Sequence, residues 1–276
     1  MRRLRSHRRE HRESKLAELD KVLGDADFRE AREHKEEERH VVSGVWGALH
    51  GKSASQQMLS LWFILMTLLT VLQMLRMNFF IASVRSQYEY MLGSEKAGRR
   101  INAAFDVLLP VGGVVATPFI GLLLDNLSTA NMLAILVSLI TAVGVLGSLP
   151  FYWAGYGNVI LFCLLRPLYY SAMSDYATKV FGFATFGKIY GTIICSSGLV
   201  NLLQPAIDAM TYEVFHGNPI PVNAFLAGLA FVVGVVLVLF VVFQGKKVLK
   251  KQAMEDAEFE RMRRGVPESI AESEFE

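Results

Sequence analysis

Apolar residues run through this sequence in long blocks, not in the short alternations of strands or the one-sided stripes of soluble helices. Six blocks are long enough for a helix to cross a bilayer, which takes about 20 residues. They cover 58–84, 102–124, 130–149, 157–177, 189–210 and 223–243. Lipid gives backbone amides and carbonyls no partner, and the blocks are too long for barrel strands, so each is predicted as a helix. Pro110, Pro118, Pro167 and Pro205 fall inside them, which membrane helices tolerate. The last block is nearly pure Val, Leu, Phe, Ala and Gly and is expected to face lipid. The fold class predicted is all-α: a polytopic six-helix bundle at 57–245, flanked by a charged, mostly disordered or helical linker at 1–56 and a charged tail at 246–276.

Charge sharpens this picture. Of 28 Lys and Arg, 13 lie in residues 1–56 and seven in 246–276. A soluble domain spreads its charges because all of its surface must be wetted. The eight basic residues between include Arg76 and Arg166 inside spans and Lys179 and Lys188 in a connection. Putting both termini in the cytosol collects most of the basic residues there, as the positive-inside rule requires. The chain is thus expected to be an integral, multi-pass membrane protein with cytosolic ends; plasma and vacuolar membranes are not distinguished. The start is basic but leads into Glu10 and Glu13, not into the apolar run of a signal peptide.

The leader mixes signs densely, as in the stretch 29–39, and lacks the interleaved aromatics of a nucleic-acid arm. No nucleic-acid partner is expected. His7, His11, His34 and His40 have no supporting cysteine, and no metal or other cofactor is expected. Cys163 and Cys195 both fall in apolar blocks and are read as packing residues. Enzyme signatures fail as well. Beyond residue 50 the one histidine is His216, too isolated for a serine hydrolase, and neither a zinc-protease nor a phosphate-loop motif occurs.

Candidate chemistry lies in the spans, where polar side chains are costly unless they face protein or water. Arg76 has two open readings: snorkelling to the outer headgroups, or a cation facing a cavity. Asn78 lies about 200° around the helix from it. In the fourth block Arg166, Tyr169, Tyr170 and Ser174 follow helical spacing on one broad side, with Pro167 loosening the helix beside the charge. Asp175 is about 13 Å along the helix from Arg166, too far for a direct pair. In the fifth, Ser197, Asn201, Gln204 and Asp208 form a polar stripe that reads either as interhelical hydrogen bonding or as substrate ligands.

Four local strings add a resemblance. Gly121-Leu122-Leu123-Leu124-Asp125, Phe186-Gly187-Lys188-Ile189-Tyr190-Gly191, Arg76-Met77-Asn78-Phe79-Phe80 and Arg166-Pro167-Leu168-Tyr169-Tyr170 together resemble the major facilitator superfamily, in its L-type neutral amino acid facilitator branch. The basic residues that usually follow the first string are replaced here by Asn126-Leu127-Ser128. The resemblance implies the carboxyl-terminal half of a twelve-helix transporter, moving a small organic solute such as a neutral amino acid by alternating access. It implies a substrate site of Arg76, Asn78, Arg166, Tyr169, Tyr170, Ser174 and Asn201, with Asp125, Asp175 and Lys188 in gating. The partners implied are a small-molecule substrate, the lipid bilayer, and a second transporter half or another copy of the chain. The rival expectation is a truncated or orphan half acting as a non-transporting membrane interaction protein. An isolated bundle is expected to expose Arg76, Arg166, Asn201 and Gln204 to lipid, and to leave Asp125 without a partner helix.

Overall fold

The computed structural model describes residues 44–264. The leader histidines, the mixed-charge stretch 29–39 and the end of the tail lie outside them. The described residues are helical, without strands, in the order α1 (Ala54–Met58), α2 (Leu61–Leu92), α3 (Glu95–Asn126), α4 (Thr129–Leu146), α5 (Tyr152–Phe181), α6 (Phe183–Asn201), α7 (Gln204–Glu213) and α8 (Ile220–Arg264).

Serines set several of the helix starts. Ser60, Ser94 and Ser128 each accept a hydrogen bond from the backbone N–H three residues on, and Ser53 forms a reciprocal capping box with Gln56. Gly93 stops α2 in the left-handed conformation at φ 58°. The block 189–210, expected as one span, is two helices broken at Leu202-Leu203. Pro205 explains the break: it has no N–H to offer the Asn201 carbonyl one turn earlier.

Five segments are long and apolar enough to cross a bilayer: α2, α3, α4, α6 with α7, and α8 up to Val248. The chain is therefore a membrane-embedded helical protein. α5 is 30 residues long but carries Arg166, Asp175 and Lys179, and it is not among the five.

α2 and α5 form the centre. They run antiparallel, pairing Trp62 with Tyr176 at 6.3 Å and Phe80 with Phe162 at 4.7 Å between ring centroids. α3 packs mainly on α5, α6 on α2, and α8 on α4 and α2. Phe105 of α3 completes an aromatic cluster with Phe80 and Phe162. α8 approaches α4 closely at Gly144, where an added Cβ would lie 2.6 Å from Ala227 Cβ. Only one side of α8 turns outward: Val222, Leu226, Ala230, Leu237 and Val241 are buried.

The boundary drawn at residue 56 falls inside folded structure. Val45 and Leu49 are buried in the bundle, so residues 45–52 form a strap across the end of α5. Gly47 N–H donates to the Lys179 carbonyl and Leu49 N–H to that of Val180. Gln57 Nε2 donates to both the Leu49 and Phe181 carbonyls at 3.0 Å. These bonds satisfy carbonyls that a helix end leaves orphaned. Gly182 then turns the chain at φ 85°, ψ 159°, a region open essentially to glycine alone.

Candidate functional site

Two polar regions stand out, and the candidate residues are divided between them. The first is an open groove of about 610 Å³ between α5 and α6, lined by Tyr170, Ser171, Ser174, Asp175, Thr178, Phe183 and Tyr190. Helical spacing puts the α5 members on one face, two turns in length. Arg166 lies one turn before Tyr170 on the same helix, half-buried. Among the described residues Arg166 has neither a carboxylate within ion-pair distance nor a hydrogen-bond acceptor. Tyr169 is fully buried behind the groove, its ring edge-on to Tyr170 at 6.0 Å. Its hydroxyl faces that of Thr70 on α2, yet neither makes a hydrogen bond of good geometry. At the far end Lys179 Nζ meets Asp175 Oδ2 at 2.6 Å. Lys179, expected in a connection, is instead a buried residue of the last turn of α5.

The second region surrounds Arg76, which is 7% exposed. Its Nη1 donates to the Ile140 carbonyl of α4 at 3.0 Å. Only about 20 Å³ beside it is open to the centre of a water molecule, room for one water-sized species and none for an organic solute. Gln73, Phe162, Asn158 and Asn223 border that space. Asn223 Nδ2 donates to Gln87 Oε1 at 2.8 Å and to the Gly147 carbonyl at 3.2 Å, and Asn158 Nδ2 donates to Tyr88 Oη at 3.0 Å. The expected exposure of Arg76 to lipid is thus corrected: the cation turns inward, between α2, α4 and α8. Arg166, Asn201 and Gln204 are each half-buried.

Arg76 and Arg166 do not share a pocket. Asn78 is half-buried and borders neither region. Asn201, at the end of α6, donates from Nδ2 to the Ser197 carbonyl and keeps a buried, unpartnered Oδ1. Lys188 is exposed on α6, two residues before Tyr190. Asp125 is half-buried at the end of α3 and is not without a partner. Of the cysteines, Cys163 packs against Gly112 as expected, but Cys195 is exposed. Asn158, Asn223 and Lys179 are the polar residues that sequence reasoning missed. The signal was there for the asparagines, each the lone amide in an apolar run.

The fold and these two regions define a helical membrane protein with a polar groove on one face. Protein FMP42 of Saccharomyces cerevisiae (strain ATCC 204508 / S288c) is 46% identical over 200 residues, 72% of this chain and 40% of that protein. The chain thus spans about 40% of the length of the curated relative it matches. No family model matches, and no solved structure does. The resemblance to the major facilitator superfamily is accordingly overturned: the matching relative is not named as a facilitator, and no family model supports it. Strings of five or six residues rich in Gly, Leu, Phe and Tyr recur among apolar helices for reasons of packing alone.

Proposed function

We propose that this chain forms one wall of a membrane transporter for a small organic solute, with the groove between α5 and α6 as the solute site. The supporting observation is the row Tyr170, Ser171, Ser174 and Thr178 on an outward-facing side of a helix surrounded by membrane-crossing segments. Such groups are costly against lipid and are suited to a wet or ligand-filled path. In this reading α5 is a sixth crossing, its polar residues shielded by its central position, and both termini are cytosolic. Arg166 binds an anionic group of the solute through charge-assisted hydrogen bonds. Tyr170 and Ser174 supply ring surface and hydroxyls, so the carboxylate of a neutral amino acid suits the site. A groove open on one side needs a second bundle, from another copy of the chain or another polypeptide, for access to alternate between the two sides. In this reading Asp175 and Lys179 at one end of the groove, with Asp125 and Lys188, act in gating.

The test is uptake of labelled neutral amino acids and other small organic acids into proteoliposomes containing the chain, alone and with its co-purifying partners. Saturable uptake, reduced at least tenfold by Tyr170→Ala and Ser174→Val, is expected. Absence of uptake across that panel would remove the transport reading. It would favour a non-transporting interaction protein, which gains support from the open, uncontacted glycines Gly113 and Gly121 on α3 and Gly187 and Gly191 on α6.

A further inference from the structure

The geometry points to a binding site for one small monovalent inorganic anion, of chloride size, in the cavity beside Arg76. Arg76 is buried, and among the described residues no carboxylate lies within ion-pair distance of it. The cavity lining contains no acid. A buried charge without a counter-charge is strongly unfavourable. Here the guanidinium uses one N–H on the Ile140 carbonyl, and its remaining donors have no acceptor among the described residues.

The amides around it add donors. Gln73 and Asn158 are each 1% exposed and border the cavity. Gln73 Oε1 and Asn158 Oδ1 are buried without hydrogen-bond partners. Gln73 uses neither of its N–H groups among the described residues, and Asn158 uses one, on Tyr88. Asn223 is already committed to Gln87 and Gly147. An excess of donors around a cation selects a ligand that only accepts. The space fits a monatomic ion and excludes phosphate, sulfate or a carboxylic acid. The groove between α5 and α6 has a separate lining, so this site is independent of the solute site.

The experiment is thermal unfolding of the purified full chain in lipid nanodiscs, titrating sodium chloride against sodium gluconate at constant ionic strength. Chloride is expected to raise Tm saturably, by about 2–4 °C at high occupancy, with Arg76→Met abolishing the difference between the salts. Equal Tm in the two salts, or a chloride effect that survives in Arg76→Met, would overturn the site. If Arg76→Met does not fold, crystals of the unaltered protein grown in sodium bromide decide the matter. An anomalous peak within hydrogen-bonding reach of the guanidinium supports the site, and a bromide-free cavity holding water alone overturns it.

Discussion

Lys179 Nζ and Asp175 Oδ2 are 2.6 Å apart, one helical turn from each other, and the two ends of this pair live in different surroundings. Lys179 is buried, and its backbone carbonyl accepts from Gly47 N–H of the strap. Asp175 borders the groove. The pair therefore connects whatever occupies the groove with the chain that closes the end of α5.

Removing the lysine charge tests that connection. Breaking a fully buried pair costs about 3–5 kcal/mol. Asp175 keeps 23% of its side chain exposed and has a further interaction besides Lys179, so Lys179→Met is expected to cost about 2 kcal/mol, below that range. Adding Asp175→Asn removes the charge that Lys179 had matched and should recover most of it. Unfolding in mixed micelles across the four proteins of the cycle measures the coupling; a double mutant as unstable as the sum of the singles would refute it.

Gly182→Ala is expected to destabilise through the backbone. At φ 85° and ψ 159° a residue with a Cβ is strained by about 1–3 kcal/mol, and that Cβ would lie 3.0 Å from the His50 ring. Gln57→Leu leaves the turn alone but removes both side-chain bonds of the strap. Amide hydrogen exchange at Gly47 and Leu49 should accelerate in both variants.

Glycines in contact and glycines in the open should separate cleanly. Gly144→Ala puts a methyl 2.6 Å from Ala227 Cβ and 2.9 Å from Arg76 Nη2, and overpacking of this kind costs about 1–3 kcal/mol. Gly113→Ala meets nothing within 4 Å and should leave the stability of the isolated chain unchanged or slightly raised. Loss of stability in both, measured side by side, would place an unseen partner against α3.

Asn223→Leu removes the donor that joins α8 to Gln87 of α2 and to Gly147, just past the end of α4. Interhelical hydrogen bonds in membrane proteins average about 0.6 kcal/mol, and the acceptors left buried add to the loss. A cost of about 1–2 kcal/mol is expected, visible as a lowered unfolding midpoint.

The helices were legible in the sequence because a membrane core imposes length and apolarity on every residue of a span. The broken fifth block was not read, although Pro205 carried the signal: membrane helices absorb some prolines, and only the neighbouring helices decide which. Arg76 was legible as embedded, but its direction was not. Spacing fixes which residues share a face; it does not say that α4 and α8 rather than solute would cover that face. Lys179 looked like a connection residue because α5 continues past the apolar block by a full turn, held there by an ion pair that hydropathy does not register.

The bond from Asn223 to Gln87 spans 136 residues of chain, and this sets a schedule for assembly. At synthesis rates of about 5–20 residues per second, Gln87 is made roughly 7–27 s before its partner exists. Over that interval α2 must hold its buried amides against lipid, water or a helper protein, and the bundle becomes fully bonded only when α8 arrives. Mistakes in biogenesis, such as a stalled ribosome or a late frameshift, would therefore leave a nearly complete bundle with an unfinished polar seam, a mark by which quality control could recognise it.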